Sequence, residues 1–192
     1  MEKYGVTYGC VITTPSFYAA PSKVEGEPRK ALALTRSMGA DALMVVLGAT
    51  GAGKKVCSKT NRKEMLTRSA ELFTLAVKLG RKAGIQIGFE NTPVSYKPLA
   101  AAADCRELLN RVPGLGFIFD TGNFRIADTC CDESASYELL KDRIIRVHVK
   151  DVSAGSLASG EECSDGQKIL AVTTGSGVIP VEALLHRMWE DG

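Results

Sequence analysis

Three residues of the types that bind divalent metals close three successive apolar segments: Ile-Gln-Ile-Gly-Phe-Glu90, Leu-Gly-Phe-Ile-Phe-Asp120 and Ile-Ile-Arg-Val-His148. They stand thirty and twenty-eight residues apart, the length of one strand-plus-helix unit. If the segments are neighbouring parallel strands about 4.8 Å apart, the side chains project from one end of a sheet, and curvature brings them to a single ion. Two carboxylates and an imidazole suit Mn²⁺, Zn²⁺, Co²⁺ or Mg²⁺ and leave coordination positions for substrate oxygens. One polar residue at the end of a strand is ordinary. Three at matching positions favour a site.

The elements that must position them alternate along the chain. Apolar runs predict strands over 4–13, 42–48, 85–90, 115–120 and 144–150. Amphipathic stretches predict helices near 27–38, 62–83, 98–111, 133–142 and 180–190, with Gly39, Gly84 and Gly114 placed to stop three of them. Strand–helix alternation reads as repeated βαβ units in a parallel sheet. A Pro-rich connection (Pro15, Pro21, Pro28) follows the first strand, and the Ser/Gly-rich stretch 152–166 reads as a surface loop, a candidate lid. With no break in composition, residues 1–192 are expected to form a single domain.

Period-two alternation separates two architectures. The side of the sheet that carries Glu90, Asp120 and His148 also receives Gln86, Gly88, Gly116, Ile118, Ile144 and Arg146; the other receives Ile85, Ile87, Phe89, Phe117, Phe119, Ile145, Val147 and Val149. One face is apolar and suits packed helices. The other mixes small, polar and charged groups, unlike a doubly wound sheet covered on both faces. The pattern favours a (β/α)-barrel type of sheet, whose catalytic end lies at the C-termini of the strands.

The runs Gly-Phe-Glu90-Asn91-Thr, Phe-Asp120-Thr-Gly-Asn123 and Val-His148-Val-Lys150-Asp151 resemble the sugar phosphate isomerase/epimerase family with the xylose-isomerase-like TIM barrel. The resemblance extends to Gly39-Ala-Asp-Ala-Leu-Met-Val-Val-Leu-Gly48 and to the tail from Gly175-Ser-Gly-Val-Ile-Pro to Trp189-Glu-Asp-Gly192. It implies that Glu90, Asp120 and His148 are three of four metal ligands, with Glu90 also an acid/base. Such a site holds two adjacent substrate oxygens on the metal, and a carboxylate removes the acidified proton beside the carbonyl to give an enediolate. Protonation of the other face epimerises; protonation of the neighbouring carbon isomerises.

The chain departs from that pattern. It holds the equivalents of about five of eight strands, lacking strands 1, 2 and 8, and 192 residues fall short of the roughly 250 of a closed barrel. The fourth ligand, a glutamate of the eighth strand in the family, has no assignable counterpart. Asn123 stands where many epimerases have histidine. The expectation is therefore a partial TIM-type barrel in which isomerisation by one base is easier than two-base epimerisation, with activity weakened or lost. The alternative is a non-catalytic binding or assembly protein derived from such a barrel. Open sheet edges predict self-association as a homodimer or larger homo-oligomer, in which Glu161, Glu162 or Asp165 are conceivable donors of the missing carboxylate.

Other residues carry weaker signals. Asn91 and Asn123 are candidates to bind substrate hydroxyls, and Asn is equally a turn residue. Lys150 and Asp151 either orient substrate or the imidazole, or form a surface ion pair. Gly48-Ala-Thr-Gly-Ala-Gly53-Lys54-Lys55 nearly matches a P-loop, but Lys55 replaces the hydroxyl that would meet Mg²⁺. A rim loop in which Lys54, Lys55 and Lys59 meet a substrate phosphate, or are merely solvated, fits better. His186 reads as a surface or packing histidine of the last helix, and Trp189 at its end as a cap on a core or an interface.

Composition narrows the partners. A net charge of +2 gives no electrostatic case for nucleic acid, and two histidines argue against a multi-metal DNA-repair endonuclease. No run of apolar residues is long enough to span a membrane, and the first residues do not resemble a secretory signal, so a cytoplasmic protein acting on a small sugar or sugar phosphate is expected. The six cysteines form no CxxC pair and are read as thiols.

Overall fold

Short buried strands alternate with amphipathic helices in the computed structural model, which describes residues 7–14, 21–47, 62–93, 99–153, 160–163 and 165–192. In chain order these are β1 (Cys10–Thr13), α1 (Pro21–Ser37), β2 (Ala42–Val45), α2 (Arg62–Ala83), β3 (Gln86–Glu90), α3 (Ala102–Arg111), β4 (Gly116–Asp120), α4 (Asn123–Ala127), α5 (Glu133–Leu140) and β5 (Ile144–His148). Four two-residue strands follow, β6 (Asp151–Val152), β7 (Glu161–Glu162), β8 (Lys168–Ile169) and β9 (Ala171–Val172), and then α6 (Val181–Asp191).

The first five strands form one parallel sheet in the order β1-β2-β3-β4-β5, the partial barrel sheet expected from the sequence. Cys10 pairs with Ala42 and Ala42 with Gln86, so the register runs straight across the first three strands. The short strands pair antiparallel, β6 with β9 and β7 with β8.

Contacts cluster the chain into two units, Met1–Glu90 with Glu107–Phe117 and Asn91–Arg106 with Ile118–Gly192. In the first, α2 buries Leu66, Ser69, Leu72, Phe73, Ala76, Val77 and Gly80, the spacing of one helical face. That face meets the sheet through Phe73 and Phe89, whose ring centroids are 5.4 Å apart, and Phe89 lies 5.1 Å from Phe117. Each fully buried ring contributes roughly 1.5–3 kcal/mol. In the second unit, Phe119 packs edge-on against Phe124 and Tyr137. Asp132 caps α5 by accepting from the Ala135 N–H, and Arg125 holds the buried Glu133 carboxylate with two 2.7 Å bonds.

Several expectations need correction. Of the strand expected over 4–13, Cys10–Thr13 pair and Thr7–Gly9 precede them without pairing, where a glycine gives the sheet nothing to pack; residues 4–6 lie outside the described residues. Pro21 and Pro28 belong to α1 rather than to a connection: Pro21 opens the helix, where its missing N–H costs nothing. Val149 lies beyond β5 and is exposed, and β5 as a whole is half-buried because it ends the strand order. Trp189 is 87% exposed and caps no core among the described residues; His186 lies beside Glu182 on the exposed face of α6, the surface alternative of its reading. Part of the stretch read as a surface loop is ordered: Glu161–Glu162 pair with Lys168–Ile169, and Cys163 between them is buried. The five described cysteines are thiols, as expected; Cys57 lies outside the described residues.

Candidate metal centre

β3, β4 and β5 end at Glu90, Asp120 and His148, and one ligand atom from each lies within 4.8 Å of the others. Donors around one ion at bonds of about 2.0–2.2 Å are up to about 4.4 Å apart. The spacing is of the order that one shared divalent ion requires. Asp120 is buried, and Glu90 and His148 are half-buried. Among the described residues no fourth His, Cys, Asp or Glu joins them.

Asp120 is held on both oxygens. Its Oδ1 accepts the backbone N–H groups of Gly122 and Asn123, both at 2.9 Å. Its Oδ2 faces the Lys150 ammonium at 3.0 Å. With Oδ1 held by two amides, Oδ2 is the carboxylate oxygen that could reach a hard ion.

The residues just after the strands brace this end of the second unit. Asn91 is fully buried: its Oδ1 accepts from the Asp120 N–H at 3.0 Å, and its Nδ2 donates to the Asp120 carbonyl at 3.1 Å. The side chain thus stands in for a strand's backbone. Thr121 repeats the device, its hydroxyl donating to the Lys150 carbonyl at 2.6 Å and accepting from the Lys150 N–H at 2.8 Å. Asn123 donates to the Asn91 carbonyl at 2.9 Å and accepts from the Lys150 ammonium at 2.6 Å. Both asparagines therefore spend their amides inside the protein, where the sequence suggested substrate hydroxyls.

Asp151 is also used internally. It is 1% exposed; Oδ1 accepts from Val152 and Ile179, and Oδ2 from Gly175 and Gly177, at 2.8–3.1 Å. Burial alone would raise its pKa, but the four N–H donors outweigh that and hold the carboxyl below the usual range. It does not pair with Lys150. Its oxygens anchor the turn that leads into α6, a role invisible from its place beside His148.

The remaining candidates fall elsewhere. Lys54, with the whole P-loop-like segment and Lys55 and Lys59, lies outside the described residues. Asp165 bonds to the Thr129 hydroxyl and to Gln167, and neither it nor Glu162 joins the group of Glu90, Asp120 and His148. Thr121 was missed by sequence reasoning; the signal was its place one residue after Asp120, matching Asn91 after Glu90.

No curated protein matches the chain in sequence. Its fold matches the IOLI protein with a bound zinc atom, with a TM-score of 0.74 and 17% identity over 100% of this chain and 67% of that one. It also matches a D-tagatose 3-epimerase-like protein (TM-score 0.71, 20% identity, 100% and 69% covered). A third match is a xylose isomerase-like TIM barrel protein from Mycobacterium smegmatis in complex with magnesium (TM-score 0.69, 16% identity, 100% and 65% covered). The chain spans about two thirds of the length of these structures. The sequence model of the family described as xylose isomerase-like TIM barrel matches residues 1–192, and the chain belongs to that family.

Proposed function

We propose that Glu90, Asp120 and His148 bind one divalent cation and that the site isomerises a sugar or sugar phosphate. The convergence of the three donor atoms at the ends of consecutive strands carries this reading. Structures with the same fold that hold zinc or magnesium, and an epimerase-like relative, support it. A cation there would polarise a substrate carbonyl and hold the adjacent hydroxyl oxygen.

The chain's own groups supply the rest. Glu90 takes the proton from the carbon beside the carbonyl, leaving an enediolate, and returns it to the neighbouring carbon, while the proton of the adjacent hydroxyl passes to the former carbonyl oxygen. Asp120, locked by Gly122 and Asn123, presents a fixed charge. Lys150, one third exposed, supplies a cation for a substrate oxyanion. One base suffices to interconvert an aldose and a ketose, whereas epimerisation needs a second on the opposite face.

A second reading, a metal-binding protein without turnover, rests on the absence of a fourth donor among the described residues. Elemental analysis of the purified chain beside Glu90→Ala and His148→Ala, followed by aldose–ketose assays with Mn²⁺, Co²⁺, Zn²⁺ and Mg²⁺, separates the two. About one metal per chain, lost in both variants, with turnover also lost in Glu90→Ala, is the expected result. Metal without turnover selects the second reading, and no metal after reconstitution overturns both.

A further inference from the structure

The oxygen of Asp120 that is free to coordinate is not free of a cation. Oδ1 is committed to two backbone N–H groups, and Oδ2 lies 3.0 Å from the Lys150 ammonium. A divalent ion binding through Oδ2 must share that oxygen with a positive charge or displace it, and like charges this close repel strongly where water is scarce. Asp120 is 3% exposed.

Lys150 is held in this position rather than passing through it. Its backbone is tied to the Thr121 hydroxyl on both sides of the peptide. Its stem lies on Gly122: a Cβ added there would come within 2.9 Å of the lysine Cγ and Cδ. The ammonium then bridges Asp120 Oδ2 and Asn123 Oδ1, and Asn123 is itself fixed by its bond to the Asn91 carbonyl. A glycine that clears the stem, a hydroxyl that pins the backbone and an amide that receives the ammonium all direct one positive charge to a metal-ligand oxygen.

We propose that Lys150 is a built-in counter-ion that competes with the divalent cation for Asp120, and so lowers and sets the affinity of the site. The proposal rests on the reading of Glu90, Asp120 and His148 as metal ligands. Lys150 acts here through Asp120 as a positioning residue and coordinates nothing. When the metal arrives, its ammonium is released from Oδ2 and becomes available to a substrate anion.

The test is the affinity for Co²⁺, measured by calorimetry and by the visible absorption of the bound ion, for the wild type, Lys150→Met and Lys150→Arg. Methionine keeps a stem on Gly122 and removes the charge; arginine keeps the charge. Lys150→Met is expected to bind Co²⁺ about tenfold more tightly, Lys150→Arg to stay near the wild type, and the Co²⁺-induced rise in Tm to be larger for Lys150→Met. A purely supporting role for Lys150 gives the opposite sign, because loosening Asp120 weakens binding.

Equal or weaker binding by Lys150→Met overturns the counter-ion while leaving the metal site standing, provided the wild type binds and His148→Ala does not. Absence of binding in both the wild type and Lys150→Met overturns the site and the counter-ion together. Should circular dichroism show Lys150→Met unfolded, Lys150→Gln carries the same expectation with a hydrogen-bonding amide at the end of the stem.

Discussion

Asn91 makes with Asp120 both hydrogen bonds that a neighbouring strand would make, accepting from its N–H at 3.0 Å and donating to its carbonyl at 3.1 Å. A buried side chain thus extends the pairing of the sheet by one step at the residue that presents the central carboxylate. Asn91→Leu removes both bonds from a site closed to water, at a cost of about 2–4 kcal/mol in urea unfolding. Asn91→Asp keeps the acceptor but sets a negative charge against the Asp120 carbonyl, and is expected to be no better than Asn91→Leu.

Thr121 holds Lys150 through one hydroxyl that both donates and accepts. Thr121→Val keeps the shape and loses both bonds; a loss of about 1–2 kcal/mol is expected, with recovery in Thr121→Ser. Thermal melts of the three proteins decide it. An equal loss in Thr121→Ser would assign the effect to the methyl group's packing.

Asp151 links stability to acid. Its pKa is lowered in the folded chain, so its contribution is complete above its unfolded value near 3.8 and is lost as pH falls through the lower folded value. Asp151→Asn removes that dependence and leaves one acceptor oxygen for four N–H donors, costing about 2–3 kcal/mol at pH 7. The difference in urea stability between wild type and variant should shrink below about pH 4; a difference constant from pH 7 to pH 3 would contradict the assignment.

Gly80 lies where α2 passes close to β3. A Cβ there would meet Ile87 Cγ1 at 2.6 Å and the Ile85 carbonyl oxygen at 2.7 Å. The backbone oxygen cannot rotate away, so Gly80→Ala is expected to lose about 1–3 kcal/mol despite alanine's better helix propensity. Denaturant midpoints would show it, and a gain in stability would mean that the helix can shift outward freely.

What the sequence made legible was local. The positions of Glu90, Asp120 and His148 at the ends of apolar runs foretold that their side chains come together, because strand pitch converts a repeat in sequence into a row in space. Gly39, Gly84 and Gly114 marked helix ends, and all three have positive φ, at 69°, 69° and 88°. What stayed hidden was non-local. The partners of Asp151 lie up to twenty-eight residues away, at Ile179, so its neighbours in sequence suggested a pair with Lys150 instead. Pro21 was misread because proline favours both a turn and the first position of a helix. Asn91 carried the right amide for substrate recognition, yet burial assigned it to the backbone of Asp120.

The chain has a single tryptophan, and it stands in water on α6. Its emission should therefore be red-shifted, open to collisional quenching by iodide, and little changed when the rings around Phe119 lose their packing. The fluorophore is a poor witness to unfolding. It is a good one to company: any molecule that settles over that end of α6 would turn the emission blue and shield it from the quencher, with no label attached.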